Sequence, residues 1–117
     1  MKIFLICPVR GISEEYSLGI ETQVKALEAQ GHKVHWPPRD TNQRDITGMN
    51  ICEENRGAIE AADIVYVIWD GKSQGVLFDL GMAFAMKKKI RTVTGYMPAM
   101  TNGKSFQNMI FVWEEMP

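Results

Sequence analysis

The sequence is poor in cysteine. Cys7 and Cys52 are its only two, and they form neither a CxxC pair nor a zinc-ligand spacing. That leaves out disulfide scaffolds and zinc modules, and free thiols in the cytoplasm are the expectation. Long apolar runs are missing too: none approaches the roughly 20 residues that a membrane span needs. The apolar opening KIFLIC is too short for an export signal and is soon interrupted by Pro8 and Arg10. Basic charge is not in excess, since 13 Lys and Arg stand against 14 Asp and Glu. No basic stripe is therefore available for a nucleic acid polymer. Repeats, linkers and low-complexity segments are absent. So are GxGxxG and GxxxxGK[ST], which removes the dinucleotide fingerprint and the P-loop. No cofactor and no metal are expected.

What is there is an ordinary apolar fraction, 45% of 117 residues, enough for one core and one domain over residues 1–117. Strand and helix signals alternate. KIFLIC (2–7) is a continuous apolar run, as in a strand covered on both faces. Ser13, followed by Glu14 and Glu15, opens a helix that Gly31 stops. HKVHW (32–36) reads as a short strand ended by Pro37 and Pro38, and 39–49 as a polar loop. A helix is expected over 50–62 with Asn50 as its cap, then the strongest strand signal, DIVYVIW (63–69). An apolar helix over 74–87 follows, with Lys87, Lys88 and Lys89 suited to a helix C-terminus. KIRTVTG (89–95) and FQNMIFVW (106–113) read as fourth and fifth strands.

Crossovers of this length impose parallel strands. The expected fold is α/β: a doubly wound, five-stranded parallel sheet of order 2-1-3-4-5, a flavodoxin-like three-layer sandwich. Ligands of such sheets lie outside the carboxyl ends of strands 1 and 3, where the winding reverses. That places Cys7, Pro8, Val9, Arg10 and Gly11 opposite Asp70, Gly71, Lys72, Ser73, Gln74 and Gly75. Ser73 is a helix cap and Gly75 allows close backbone approach, so the turn can hold an anion. A plain strand-to-helix turn is the competing reading. Arg10 can pair with a phosphate or with Asp70, or be a solvated surface residue. His35 and Trp36 end strand 2 on the same side.

Asp79 is the residue the pattern does not explain. From Ser73 to Met86 every other position is apolar, small or uncharged, and no basic residue lies within four positions of Asp79. An unpaired buried carboxylate is costly. Asp79 is then a functional group at the cleft, an exposed Asp on a helix edge, or one paired from another segment.

SQGVLFDLGMAFA (73–85) resembles the signature of the nucleoside 2-deoxyribosyltransferase superfamily, a Gly-containing turn followed by a Glu-Leu-Gly step. IFLICPVRG (3–11), NRGAIEAADIVYVIWD (55–70) and FQNMIFVWEE (106–115) are similar to its first strand and Arg-Gly loop, its helix 2 with strand 3, and its closing strand. The branch that resembles this chain most is that of the 2'-deoxynucleoside 5'-phosphate N-hydrolases. The resemblance implies a carboxylate nucleophile at Asp79, where the family has Glu. It implies Asn55 where the family has an Asp that helps protonate the leaving base, with Asp70 as a substitute. It further implies substrate contacts from Cys7, Pro8, Arg10, Gly11, Trp36, Ser73 and Gly75. The partner would be a small nucleoside or nucleotide, not a membrane. The family lends site residues between subunits, so a homodimer or higher homo-oligomer is implied, with Asn108 lent and Met97, Met100, Met109 and Met116 near the contact. Two readings follow: cleavage or transfer of the N-glycosidic bond of a (deoxy)nucleoside or its 5'-monophosphate, or a binding module that holds such a ligand without turnover. A receiver domain shares the sheet order but needs acidic residues after strand 1, and ICPVRG has none.

Overall fold

A computed structural model describes residues 1–117. Four parallel strands form its sheet in the order β2-β1-β3-β4: β1 Lys2–Ile6, β2 Lys33–His35, β3 Ile64–Val67 and β4 Ile90–Thr92. The helices are α1 Glu14–Ala29, α2 Pro37–Asp40, α3 Met49–Ala61, α4 Gln74–Ala85 and α5 Phe106–Glu115. No helix is long and apolar enough to cross a membrane.

The pleat of β1 sorts its side chains to two cores. Phe4 and Ile6 meet Ile59 of α3, Leu80 of α4 and Ile110 of α5 on one face. Ile3, Leu5 and Cys7 meet Ile20 and Val24 of α1 on the other. Both faces are covered, which is why the strands read as unbroken apolar runs. Helix ends follow the sequence signals. Ser13 accepts from the Tyr16 amide and Ser73 from the Val76 amide. Gly31, at φ +93°, closes α1 with its amide on the Glu28 carbonyl and that of His32 on Leu27.

The sheet has four strands and not the five expected. FQNMIFVW is the start of α5, capped by Ser105, which accepts from the Asn108 amide. Phe106, Met109, Ile110 and Trp113 fall at i, i+3, i+4 and i+7, but with Phe111 and Val112 the last three also make the unbroken apolar run 109–113, short enough to imitate a strand. Ile110 and Trp113 enter the core. The edge of β4 is covered by this helix: the Glu114 carboxylate accepts from the Thr92 amide, and the Trp113 indole N–H donates to the Lys88 carbonyl.

Three smaller expectations are also corrected. Residues 37–40 of the β2–α3 connection form a helical turn, because Pro at its start is pre-set for helix. Asn50 lies inside α3. Its start is held by Asp45, whose carboxylate accepts from the Ile51 and Thr47 amides and is kept below the usual carboxylate range by them. Of the three lysines, Lys88 serves the C-terminus of a neighbouring helix: its Nζ donates to the carbonyls of Glu60 and Ala62 at the end of α3.

Candidate active site

The switch point between β1 and β3 opens into a cleft of about 420 Å³. Its walls come from three segments: the loop after β1, the first turns of α4, and the side of α3 with the loop before it. A second concavity of about 470 Å³ follows the β2 edge, but its guanidinium, Arg39, is already taken by Glu28, Asp40 and the Val34 carbonyl.

The turn into α4 is built by local hydrogen bonds. Asp70 Oδ1 accepts from the amides of Lys72 (2.9 Å) and Ser73 (2.8 Å). The Trp69 indole N–H donates to the Ser73 carbonyl at 3.2 Å. Asp70 therefore shapes the turn and does not line the cleft. Ser73, Gln74 and Gly75 do line it, and the first amides of α4 have no acceptor within the helix. A Cβ on Gly75 would meet nothing closer than Ser73 Oγ at 3.9 Å. Arg10, exposed and in no ion pair, faces the same space.

Asp79 sits on the cleft wall, one and a half turns into α4. No cation pairs with it. Its hydrogen-bond partner is the Asn55 amide of α3, whose Nδ2 donates to Oδ2 at 3.5 Å. Burial pushes its carboxyl from the ordinary 3.8 up to about 7, with the Asn55 contact opposing part of that rise. Asn55 is buried (5% exposed) and its Oδ1 accepts from the Thr41 hydroxyl at 2.8 Å. Cys7 follows β1 at the cleft. Burial pushes its thiol to about 12, the Trp36 indole opposes this, and the charge of Asp79 adds to it.

Of the residues the sequence singled out, the fold thus brings together Asp79, Asn55, Cys7, Arg10, Ser73 and Gly75. Pro8, Gly11, Trp36 and Asn108 do not line the cleft. Pro8 is buried and Gly11 turns the exposed loop at φ +68°. Trp36 packs with the α1-side core, its buried indole N–H beside the Cys7 thiol without completing a hydrogen bond to it. Asn108 ties down its own loop, donating to the carbonyls of Thr101 and Gly103 and accepting from the Thr101 amide. Sequence reasoning missed Cys52 and Phe78, which also line the cleft. It also missed Thr41 behind Asn55. Cys52 and Asn55 are three apart on α3, so the helical period of 50–62 offered a signal for Cys52; nothing local marked Thr41. No three His, Cys, Asp or Glu side chains cluster in a way that could hold a metal ion.

Chemically, the cleft brings together a partly desolvated carboxylate, the capped amide end of α4 and an unpaired guanidinium. Residues 3–110 match the family described as nucleoside 2-deoxyribosyltransferase. No curated protein matches the sequence. Among solved structures, the fold is similar to that of a 2-deoxyribosyltransferase from Bacillus psychrosaccharolyticus, with a TM-score of 0.65 and 19% identity over 100% of this chain and 93% of that one. It is also similar to a CMP N-glycosidase from Clostridium botulinum, with a TM-score of 0.59 and 22% identity over 79% of this chain and 67% of that one.

Proposed function

The chain belongs to the nucleoside 2-deoxyribosyltransferase family, and from that premise we propose that it cleaves or transfers the N-glycosidic bond of a (deoxy)nucleoside or its 5'-monophosphate with Asp79 as nucleophile. The observation that carries this reading is the Asp79 carboxylate, on the wall of the switch-point cleft with an amide and no cation for a partner. A cation would stabilise the carboxylate and blunt it. An amide holds it in place and leaves its electron pair available.

In the first step a carboxylate oxygen bonds to the anomeric carbon and the C–N bond breaks, its electron pair leaving on the base nitrogen. Asn55 has no acidic proton to give, and Asp70 is held in the turn, so the departing base takes its proton from cleft water. In the second step water, or the N–H nitrogen of another base, attacks the same carbon and gives its proton to the hydroxide left by the first step. The Asp79 ester bond breaks and the carboxylate is regenerated, the two-step course of retaining glycosidases. The test is product analysis of the purified protein with a panel of deoxynucleosides and their monophosphates, with and without a free acceptor base. Release or exchange of a base supports the reading. Binding without turnover across the panel supports a binding module instead.

The anion end of the substrate is assigned to Ser73, Gln74, Gly75 and Arg10. Because a Cβ at Gly75 meets nothing closer than Ser73 Oγ at 3.9 Å, Gly75→Leu is expected to fold with thermal stability close to that of wild type. It should weaken nucleoside monophosphates about tenfold more than the corresponding nucleosides, the worth of a charge-assisted hydrogen bond or two. Calorimetric titration of both ligand sets checks this. Equal weakening removes the phosphate from the assignment.

We also propose a second copy of the chain as partner. On α5, Phe106 (58% exposed), Val112 (63%) and Met109 form an uncovered apolar row, with Met100 and Met116 nearby in sequence and also exposed. Met97, by contrast, packs against the core. Sedimentation at micromolar concentration is expected to show a dimer or larger species that Val112→Glu dissociates. A strictly monomeric wild-type protein overturns this.

A further inference from the structure

Thr41 and Asn55 are the two buried polar side chains of the protein apart from the partly covered Asp79, and they are joined to each other. Buried polar groups persist where each finds a partner. Thr41 Oγ1 lies 2.8 Å from Asn55 Oδ1 on one side and 2.8 Å from His35 Nε2 on the other. An amide oxygen carries no hydrogen, so the hydroxyl donates to it. Its single proton is then committed, and it accepts from His35, whose Nε2 must carry the hydrogen. With its oxygen held by Thr41, the Asn55 amide turns its NH2 to Asp79. The opposite direction would set the Asn55 oxygen against the Asp79 carboxylate, which only a protonated Asp79 can satisfy.

Each member is held by its own element. His35 pairs in register with Phe4 and stacks on its ring, centroids 5.3 Å apart. Thr41 follows the turn Pro37–Asp40, its amide on the Pro37 carbonyl at 3.0 Å. Asp40 anchors that turn by accepting from the Trp36 amide.

We propose that His35, Thr41 and Asn55 form a one-directional hydrogen-bond relay that aims the Asn55 amide at Asp79, and that Thr41 is a positioning residue for that carboxylate. Its catalytic meaning rests on the reading of Asp79 as nucleophile; the relay itself does not. The charged and titratable groups around it are few. Arg10, Cys7 and Cys52 share the cleft with Asp79, the first two from the loop after β1 and the third from α3. Asp40, Glu54 and Arg39 face His35, and burial keeps that imidazole below its ordinary 6.5, hence neutral above pH 7.

The test is an NMR titration of the ligand-free protein, reading the Asp79 carboxyl and the His35 ring nitrogens in wild type, Thr41→Val and Thr41→Ser. In wild type at pH 8 the imidazole is expected as the Nε2–H tautomer. Thr41→Val should raise the Asp79 midpoint by about one unit, the worth of one hydrogen bond to a charged group, and release His35 toward Nδ1–H. Thr41→Ser should restore both. In the active protein, kcat/KM at pH 6 should fall about tenfold in Thr41→Val and recover in Thr41→Ser. An unmoved Asp79 midpoint in Thr41→Val, or the same shift in Thr41→Ser, overturns the proposal. Should Thr41→Val fail to fold, the wild-type tautomer decides: Nδ1–H at pH 8 reverses the relay and overturns it. Both NMR readouts are free of substrate, so a protein that turns over no nucleoside refutes the nucleophile and leaves the relay standing.

Discussion

Asp79→Ala is expected to lower turnover by at least about 10⁴-fold while ligand affinity changes little, because a nucleophile acts in the transition state and contributes little to ground-state binding. The position of the carboxylate makes the expectation specific. It lies on the cleft wall, hydrogen-bonded to Asn55 and in no ion pair, so its loss disturbs none. Asp79→Glu should retain activity or raise it, since the longer side chain restores the reach of the family's Glu, and roughly 1 Å of misplacement can cost about a hundredfold. Single-turnover kinetics with a (deoxy)nucleoside and its monophosphate, beside ligand titrations, separate the outcomes. Turnover that survives Asp79→Ala, or affinity lost in parallel with it, removes Asp79 from the nucleophile's role. The same carboxylate sets the pH dependence. With its carboxyl pushed to about 7, kcat/KM should rise tenfold per pH unit on the acid side and level off above neutrality.

The second large effect is on stability. Asp79 titrates near 3.8 when unfolded and about 7 when folded, so between those values the folded chain holds a proton that the unfolded chain has released. Folding stability therefore falls as pH rises through this window, and the loss is complete above about pH 7. Asp79→Asn removes the ionisation and keeps a group that Asn55 can hydrogen-bond. It should be near neutral at pH 4 and stabilising by about 3–4 kcal/mol at pH 8, roughly 15 °C in melting temperature. Thermal melts of both proteins across pH 4–8 check this. A constant difference across the range, or a gain at the acid end alone, would show that the carboxylate is not buried against its charge. Together these two outcomes would describe a group retained at a cost to the fold, the usual mark of a functional residue.

Much of the architecture was legible because it is encoded locally. Apolar and β-branched runs announced β1 to β4, cap residues, stops and an apolar stretch announced α1, α3 and α4, and Ser13, Gly31 and Ser73 set helix ends through contacts at most a few residues away. The order of those elements placed a cleft beside Arg10, Ser73 and Gly75, and the lone carboxylate in an apolar helix marked Asp79. The region 106–113 was misread because its unbroken apolar run 109–113 satisfies a buried strand and a short helix alike. Its helical state is decided by Ile110 and Trp113 reaching the core and Glu114 reaching β4. What no window of sequence could show is which buried polar groups meet. Asn55 finds Asp79 across 24 residues and Thr41 across 14, and His35 finds Thr41 only because a proline-led turn brings the chain back. Such bonds are directional and short, so they depend on how α3 packs against α4 and on where α2 ends. Burial then lifts the Asp79 carboxyl to about 7, because desolvation is a property of the space around a residue and not of its neighbours along the chain.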